Sequence, residues 1–316
     1  MSDMKAVRIH KYGGASELVY EDAPRPRPGA GEVLIRVLAT TVNPFDCAAR
    51  AGYLSAYFNY TLPVILGTDA SGVIEDVGAG VTEFKRGDLV YARGGVTRDG
   101  ANAEYVVVPA TDVASKPRSL DHVHAAALPH VSLTAWQALF ELADLSKGQT
   151  VLIHAAAGGV GHIAVQLAKW RGAKVIGTAS VNMDYLRELG VDQAIDYTKT
   201  QFEKANGNLG NVDVVLDLIG GETQERSWNM LKPGGILVST VQAPSPEVAA
   251  AHGVRQAMVT SAPPIGKVLT EIAALVDSGR IKPRVSTVLP LQETAKAHEM
   301  IEAHHTAGKI VMEVAA

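Results

Sequence analysis

The sequence predicts an α/β protein in which a mostly β region precedes a doubly wound parallel sheet. Before residue 120, apolar runs at 32–39, 72–77, 88–91 and 103–108 are separated by Gly- and Pro-rich turns, which favours antiparallel strands. From about Asp121 the pattern alternates between strands and helices, which predicts βαβ units with helices on both faces of a parallel sheet. A strand, a glycine-rich turn and a helix also follow one another around residue 158.

The alternating region supplies the predicted elements of the second domain. Strands are predicted at 150–156, 174–179, 212–219 and 236–240, and helices at 160–171, 184–189 and 222–231. Lys232-Pro233-Gly234-Gly235 predicts the end of the last of these helices. Extended runs at 284–288 and 309–314 surround a helix near 292–304, so we expect the final residues to rejoin the first domain.

Composition narrows the class of protein. The 316 residues are 47% hydrophobic and 20% charged, which is typical of a globular protein large enough for two domains. A net charge of −4 gives no reason to expect nucleic acid or a membrane surface as a partner, and no apolar run is long enough to cross a bilayer. Cys47 is the only cysteine, which excludes an internal disulfide and a thiolate zinc cluster. The N-terminus lacks the pattern of a secretory signal, so we expect a cytoplasmic location.

The turn at residues 155–161 carries the clearest functional signal. It follows the apolar run 150–154 and leads into apolar residues at helical spacing, so main-chain N–H groups and a helix N-terminus meet there. Gly158 allows close approach of a pyrophosphate, and Gly161 allows the helix to pack against the strand, whereas Ala156 replaces the first glycine of the usual motif. The pattern predicts dinucleotide binding; the alternative is a turn that binds nothing.

The end of the next strand bears on the choice of dinucleotide. Proteins that select NAD usually carry an acidic residue there for the ribose 2′-hydroxyl. Here Ala179 and Ser180 follow the strand, and no acidic residue occurs before Asp184, which leaves room for the 2′-phosphate of NADP. Ser180 is equally compatible with a turn or a helix cap.

Further motifs extend over the whole chain. They are Val42-Asn43-Pro44-Phe45-Asp46 with Arg50-Ala51-Gly52-Tyr53, the run 63–72, Leu133-Thr134-Ala135-Trp136, Leu189-Gly190-Val191-Asp192, Ile195-Asp196-Tyr197 and Gly308-Lys309-Ile310-Val311. In this order, the set resembles the zinc-independent NADPH:quinone oxidoreductases of the medium-chain dehydrogenase/reductase superfamily.

The resemblance implies a fold, a cofactor and a set of site residues. The fold is a GroES-like catalytic domain at 1–124, a Rossmann NADP-binding domain at 125–281 and a C-terminal return at 282–316, with NADPH between the domains. Asn43, Asp46 and Tyr53 are the implied catalytic residues on the nicotinamide side. The implied cofactor-binding residues are Thr134, Ala157, Gly158, Gly159, Val160, Gly161, Ser180, Tyr197, Leu218, Val241 and Lys309.

Zinc alcohol dehydrogenases belong to the same superfamily. The positions of their catalytic zinc ligands match Asn43, Thr68 and His130, and an amide, a hydroxyl and one imidazole are not the usual zinc donors. We therefore expect no metal site. Without a Lewis acid, alcohol oxidation is disfavoured and reduction of an electrophilic acceptor is favoured. His122, His124, His304 and His305 lack partners at metal spacing, and Cys47 is expected to be a packed side chain.

The predicted reaction is hydride transfer from NADPH to a quinone, with Asn43 or Tyr53 donating a hydrogen bond to the acceptor oxygen. One alternative acceptor is an enone, enal or enoyl thioester, for which Arg50, Arg93 and Arg98 could bind the acidic part of a thioester. A second alternative is a non-catalytic NADPH-binding scaffold. Relatives suggest a homodimer or homotetramer that pairs through the sheet edge near 253–260.

Overall fold

The computed structural model describes residues 3–58, 60–207, 211–260, 265–303 and 307–315. The strands, in chain order, are β1 (Asp3–Ile9), β2 (Leu18–Pro24), β3 (Glu32–Thr41), β4 (Val64–Ile65), β5 (Asp69–Val77), β6 (Leu89–Arg93), β7 (Tyr105–Pro109), β8 (Val113–Ser115), β9 (Thr150–Ile153), β10 (Lys174–Ala179), β11 (Gln193–Asp196), β12 (Val212–Asp217), β13 (Leu231–Ser239), β14 (Arg255–Met258), β15 (Val285–Pro290) and β16 (Lys309–Glu313).

The α-helices are α1 (Pro44–Ala51), α2 (His122–Ala126), α3 (Pro129–Trp136), α4 (Gly159–Arg171), α5 (Met183–Glu188), α6 (Gly221–Ser227), α7 (Pro246–Ala251), α8 (Gly266–Asp277) and α9 (Thr294–Glu302). A π-helix at Gln137–Leu142 follows α3. Short 3-10 turns occupy Ala15–Glu17, Ala110–Asp112, Phe202–Gly207, Trp228–Met230 and Leu291–Glu293. None of the described helices combines the length and apolar character needed to cross a lipid bilayer.

The chain divides into two compact units. Unit 1 comprises Met1–His130, Pro263–Gly279 and Pro283–Ala316, and unit 2 comprises Val131–Ala262 and Arg280–Lys282. The domain limits implied by the resemblance, 124 and 281, would place residues 266–277, which form α8, in the second domain. In the structure α8 packs within unit 1, where the hydroxyl of Tyr91 donates to the carbonyl of Leu269 at 2.5 Å.

Unit 2 contains one parallel sheet with the strand order β11-β10-β9-β12-β13-β14. This is the order of a Rossmann fold, so the predicted α/β class with a doubly wound sheet is confirmed. The order reverses between β9 and β12, and the carboxyl ends of these two strands therefore flank the position where ligands bind in such sheets.

Some predicted boundaries in unit 2 differ from the observed ones. Lys232-Pro233-Gly234-Gly235 was predicted to stop a helix, but it lies inside β13, which begins at Leu231. The register between β12 and β13 shifts between Val212 and Val214, and this irregularity accommodates a proline that cannot donate to the ladder. The helix predicted at 222–231 ends at Ser227 and continues as a 3-10 turn.

His154 links β9 and β10 to α6 inside unit 2. Its side chain is buried, with Nδ1 3.2 Å from Thr178 Oγ1 and Nε2 2.8 Å from Ser227 Oγ. Because Ser227 Oγ donates to the Thr223 carbonyl, it accepts a hydrogen bond from Nε2–H of His154. Burial lowers the pKa of His154 to about 4.

Unit 1 contains two mostly antiparallel sheets. One has the order β2-β1-β4, and the other has the order β15-β16-β3-β5-β6-β8, with β7 also paired to β3. β16 lies between β15, to which it is parallel, and β3, to which it is antiparallel. The predicted GroES-like, mostly β domain and its completion by C-terminal residues are therefore present. The core of unit 1 includes Ile35, Ile74, Val90, Val106 and Met312, all fully buried and each contributing about 1.5–3 kcal/mol by burial.

Candidate functional site

The turn between β9 and α4 has the geometry that its glycines predict. A Cβ on Gly161 would lie 2.2 Å from the carbonyl oxygen of Ala155, so only glycine lets α4 pack this close to the end of β9. A Cβ on Gly158 would lie 3.1 Å from the same oxygen. Ala155 itself has φ +47°, a left-handed conformation that non-glycine residues adopt at a cost and mostly at functional sites.

The first turn of α4 presents main-chain N–H groups. Its N-cap, Gly158, provides no side-chain hydrogen bond, and Gly158, Gly159 and Val160 are half-buried. His162 Nδ1 lies 2.9 Å from the Gly158 carbonyl and fixes this end of the helix. Ala157 is buried beneath the turn. The absence of a side chain at Gly158 and the uncapped helix N-terminus fit a pyrophosphate, which is the group that the sequence predicts here.

Apolar side chains are exposed just after four strands of this sheet, two on each side of β9. Val181 follows β10, Tyr197 follows β11, Ile219 follows β12 and Val241 follows β13, and each is 50–52% exposed. Because parallel strands end at one edge, these residues line the edge where the predicted cofactor residues lie. The Tyr197 hydroxyl donates to Ser180 Oγ at 2.9 Å, so the two residues assigned to the adenosine 2′-phosphate are in contact.

Asp217, at the end of β12, is a buried carboxylate with a structural task. It accepts hydrogen bonds from the N–H groups of Ile219 and Gly220 at 3.0 and 2.9 Å. It also accepts from Gln224 Nε2 and Ser239 Oγ, both at 2.9 Å. The residue therefore holds the loop that contains Leu218 and ties it to the end of β13.

In unit 1, α1 begins at the residues assigned to catalysis. Asn43 is the N-cap, Pro44 occupies the first helical position, and the Asn43 N–H donates to Asp46 Oδ2 at 2.8 Å. Both Asn43 and Asp46 are 1% exposed. Burial raises the pKa of Asp46 to about 7, although the hydrogen bond from Asn43 opposes the shift. A carboxyl group that titrates near neutral pH therefore lies at the start of α1.

The side-chain amide of Asn43 is fully engaged inside the protein. Nδ2 donates to Thr68 Oγ1 at 3.0 Å and to Asp69 Oδ2 at 2.9 Å, while Oδ1 accepts from the ammonium of Lys309. These bonds fix the orientation of the amide. Asn43 was predicted to donate to the acceptor oxygen, and it would have to give up one of these bonds to do so.

Asp69 and Lys309 form the centre of this network. The ammonium of Lys309 lies 3.5 Å from Asp69 Oδ2, and both side chains are almost completely buried. Asp69 also accepts from the Thr41 hydroxyl and, at 2.6 Å, from the N–H of His130. Burial alone would raise the pKa of Asp69, but Lys309, His130 and these hydrogen bonds hold it below its ordinary value. Burial lowers the pKa of Lys309, and Asp69 opposes that effect.

Four distant segments thus meet in unit 1: residues 41–46, 68–69, 130 and 309. Lys309 and Asn43 were predicted as site residues on the resemblance. Asp69 was not, although it lies in the quoted run 63–72, because no pattern in the sequence indicates which residue will face Lys309.

The remaining predicted residues have different surroundings. Tyr53 lies in the turn after α1 and is 80% exposed. Its hydroxyl has no hydrogen-bond partner among the residues that the structure describes. Thr134 is 6% exposed within α3. The participation of all the named residues in cofactor binding or catalysis stays a prediction.

Two predictions about cysteine and histidine side chains can be compared with the structure. Cys47 is buried, with Sγ 3.3 Å from His298 Nδ1, and burial raises the pKa of the thiol to about 12. It is a packed side chain, as expected. His122 contacts Ser71 Oγ at 2.8 Å, and His124 contacts Asp121 Oδ1 at 2.8 Å. The pair at 304 and 305 lies outside the described residues.

Comparison with known proteins identifies the family. Residues 29–118 match the alcohol dehydrogenase GroES-like domain, and residues 189–312 match a zinc-binding dehydrogenase domain. The chain is 35% identical to the mitochondrial NAD(P)H oxidoreductase RTN4IP1 of Danio rerio, over 90% of this chain and 84% of the relative. It is 34% identical to the chloroplastic NADPH-dependent alkenal/one oxidoreductase of Arabidopsis thaliana, over 98% of this chain and 79% of the relative.

A solved structure, the quinone oxidoreductase of Coxiella burnetii, superimposes with a TM-score of 0.90 at 34% identity, covering 99% of this chain and 100% of that one. The chain belongs to the quinone oxidoreductase family of the medium-chain dehydrogenase/reductase superfamily. This family member is an NAD(P)H-dependent oxidoreductase, and its Rossmann unit is the NADP(H)-binding unit.

The zinc implied by the name of the second matching domain does not fit this member of the family. Asn43 Nδ2 lies 3.0 Å from Thr68 Oγ1, which lies 3.5 Å from His130 Nδ1, so the three positions that match the zinc ligands are adjacent. They offer an amide, a hydroxyl and one imidazole beside the ammonium of Lys309. This set of groups lacks the thiolate ligands of the usual zinc site, and the neighbouring ammonium would repel a metal cation. Among the described residues, no three His, Cys, Asp or Glu side chains form a group suited to a metal ion.

Proposed function

We propose that this protein is a zinc-independent, NADPH-dependent reductase that transfers a hydride to a quinone. The observation that supports it best is the buried ammonium of Lys309, held by Asp69 and Asn43 beside the positions that match the zinc ligands. When bound, NADP(H) supplies the hydride. A fixed positive charge would stabilise the negative charge that develops on the acceptor oxygen, because it is preorganised and shielded from water.

The neighbouring residues have distinct roles in this proposal. Asp69 favours the charged form of Lys309, and Asn43 orients the ammonium through its carbonyl oxygen. Asp46 has a pKa of about 7 and is therefore partly protonated at neutral pH, so it could supply the proton that follows the hydride. Tyr53, with an exposed hydroxyl, is the alternative donor.

A preference for NADPH over NADH is supported by the edge of the Rossmann sheet. No acidic residue follows β10 directly, and Ser180 and Tyr197 present two hydroxyl groups in mutual contact. A carboxylate at this position would repel the 2′-phosphate. We therefore expect a lower KM for NADPH than for NADH.

A second candidate acceptor is an α,β-unsaturated carbonyl compound such as an enone, enal or enoyl thioester. The similarity to the Arabidopsis alkenal/one oxidoreductase favours it, since that relative is named for such acceptors. The same cation would stabilise the enolate oxygen. A non-catalytic NADPH-binding scaffold is the remaining alternative, and it would bind NADPH without consuming it.

The test follows NADPH and NADH oxidation with 1,4-naphthoquinone and with but-3-en-2-one. We expect NADPH consumption with the quinone, faster than with NADH, and no change when a chelator is present. Lys309→Met should lower kcat by about 100-fold, as removal of one preorganised oxyanion-stabilising group does. Lys296→Met removes an exposed lysine paired with Glu293 and should have no effect. No turnover, equal use of NADH or a requirement for zinc would contradict the proposal.

A homodimer or homotetramer in the cytoplasm remains part of the proposal. β14 is an edge strand of the unit 2 sheet and includes residues of the predicted contact at 253–260. Such an edge is a natural place for pairing with a second copy. Light scattering measures the number of chains. The Danio rerio relative is named as mitochondrial, so location needs its own measurement in cells.

A further inference from the structure

Three arginines could contact the acidic part of a substrate, and the structure distinguishes them. Arg50 donates to the Gly13 carbonyl at 3.1 Å and to Glu302 Oε1 at 2.5 Å. Arg98 donates to Glu32 Oε1 at 2.5 Å and is largely exposed. Arg93 differs from both, because its guanidinium has no hydrogen-bond or ion-pair partner among the residues that the structure describes.

Arg93 is also buried. Only 8% of the residue is exposed, and its Nε is a buried donor without a partner. Burying a cation without a partner costs several kcal/mol, so folded proteins rarely leave one in this state. Burial accordingly lowers the pKa of Arg93. An arginine is nevertheless protonated at neutral pH, so an unmatched positive charge is present at this position.

The position of Arg93 connects it to the network around Lys309. Arg93 is the last residue of β6 and pairs in register with Asp69, the first residue of β5. The following N–H, that of Gly94, donates to the Thr68 carbonyl at 2.8 Å. The backbone of Arg93 therefore lies next to Thr68 and Asp69, the two residues that bind the side chain of Asn43.

The nearby carboxylates are occupied by other groups. Asp69 is shared by Lys309, Thr41, Asn43 and His130. Asp112 accepts from the N–H of Ile265 at 3.3 Å, and Asp46 accepts from Asn43. None of the three forms an ion pair with Arg93 among the described contacts. The carboxylate of Asp69 is therefore committed to Lys309 and its hydrogen-bond donors, and the guanidinium N–H groups of Arg93 have no acceptor among the described residues.

We propose that Arg93 binds a carboxylate carried by the acceptor substrate. A guanidinium is planar and offers paired N–H donors that match the two oxygens of a carboxylate, and such a bond would satisfy the unpaired cation. The acceptor is then a conjugated carbonyl compound that bears a carboxylate. This inference rests on the proposed function, because it specifies the substrate class of the same site.

The test uses two acceptors of nearly the same shape, 4-oxopent-2-enoate and its neutral methyl ester. In the balanced reaction, hydride from NADPH forms a C–H bond at the alkene carbon β to the ketone, and NADP⁺ is released. The alkene π pair forms the C=C bond of an enolate while the carbonyl π pair moves to the oxygen. A proton then adds to the α carbon as the C=O bond re-forms, which gives the saturated product. Wild-type protein should have a kcat/KM at least 10-fold higher for the carboxylate. Arg93→Met should reduce kcat/KM for the carboxylate by about 100-fold, mainly through KM, as loss of one partner of a buried charge pair does. The ester should change by less than about 3-fold.

Two controls separate recognition from folding. Arg98→Met removes the exposed, paired arginine and should leave the carboxylate-to-ester ratio unchanged. The saturated compound 4-oxopentanoate has no carbon–carbon double bond to accept the hydride, so it reports binding alone. It should raise the melting temperature of the wild-type protein with NADP⁺ bound, whereas its methyl ester should not, and this measurement does not depend on any variant that folds poorly.

The outcomes are decisive in each direction. An unchanged carboxylate-to-ester ratio in Arg93→Met, or equal stabilisation of wild type by 4-oxopentanoate and its ester, would overturn the inference. A parallel rise in the KM for NADPH would assign Arg93 to a cofactor phosphate instead and would also overturn it. Reduction of 1,4-naphthoquinone by the wild type with NADPH would preserve the proposed function in either case, whereas no reduction of any acceptor would remove that function itself.

Discussion

The glycine turn of unit 2 and the polar network of unit 1 are built in opposite ways. In unit 2, the groups proposed to bind the pyrophosphate are main-chain N–H groups of consecutive residues, and side chains are absent where space is needed, at Gly158 and Gly161. In unit 1, the groups are side chains from four segments, and each is fixed by the others, as Asn43 is by Lys309 and Asp69. The first site depends on local backbone geometry, and the second depends on the completed fold.

This difference predicts how each region responds to substitution. A substitution in the glycine turn of unit 2 should act through a steric clash between the new side chain and the backbone, and it should lower the affinity for the cofactor. A change in unit 1 should act through unpaired charge, and it should affect stability together with the chemical step.

The largest effect is expected from Gly161→Ala. The added Cβ would lie 2.2 Å from the Ala155 carbonyl oxygen and 2.7 Å from Ala156 Cα, so the start of α4 must move away from the turn. We expect NADPH to bind at least 10³-fold more weakly, a loss of about 4 kcal/mol. Fluorescence titration measures the Kd.

Gly14→Ala is the matched control, because a Cβ there has no atom within 4 Å. It should leave the Kd unchanged. If Gly161→Ala bound NADPH as tightly as the control, the turn would not be the site of the pyrophosphate.

The next effect tests the side-chain network. Asp69→Asn removes the carboxylate facing Lys309 and leaves a buried ammonium without its ion pair. The free energy of unfolding should fall by about 3–4 kcal/mol, because breaking a buried pair exposes the full desolvation cost of the remaining charge. Urea unfolding measures it. Asp76→Asn, an exposed carboxylate on the same strand, is the control, and an equal loss in both variants would refute a special role for Asp69.

A pH effect of similar size is expected inside unit 2. The pKa of His154 is about 4 in the folded protein and near 6.5 when unfolded, so the unfolded state binds the additional proton between these values. Stability should therefore be complete above pH 6.5 and fall by about 3 kcal/mol as the pH decreases to 4. Asp46 has the opposite effect: because its pKa is raised to about 7 in the folded protein, its contribution to the free energy of unfolding decreases as the pH rises from about 4 to 7.

The contribution of His154 is isolated by comparing the wild type with His154→Gln in urea unfolding at several pH values. The difference between the two should decrease as the pH falls from 6.5 to 4. His10→Gln removes an exposed histidine and should follow the wild-type curve. If the difference in the free energy of unfolding between the wild type and His154→Gln did not change with pH, the imidazole of His154 would not be the cause of the loss of stability at low pH.

The smallest effect is expected from Tyr53→Phe. The side chain is 80% exposed and no described residue bonds its hydroxyl, so nothing positions it as firmly as Lys309 or Asp46. We expect kcat to fall by less than about 100-fold, the low end for a proton donor. Tyr57→Phe, equally exposed, is the control. A loss above 10⁴-fold in steady-state kinetics would mean that Tyr53 is the principal catalytic group.

The contrast between the two regions also explains what could be predicted from the sequence. The glycine turn was recognisable because strand, turn and helix are consecutive, and its backbone requirements appear directly as Gly158 and Gly161. Asp69 and the unpaired state of Arg93 could not be derived, because both depend on which distant residues the sheet brings together. Asn43 and Lys309 were reached only through resemblance. The second half of β13 was predicted at 236–240, but its first half, which contains Pro233, was missed because a local register shift tolerates residues that usually end an element.

The origin of Lys309 in β16 has a consequence for biosynthesis. On the ribosome, unit 2 has all its described strands once Met258 has emerged, whereas the large sheet of unit 1 lacks β15 and β16 until Glu313 has been made. Until then Asp69 has no ammonium to neutralise it, and residues 39–41 of β3 lack the neighbouring strand that β16 supplies. The Rossmann unit can therefore mature during translation, while its neighbour must wait for the final strand, a period in which chaperones would protect the open edge.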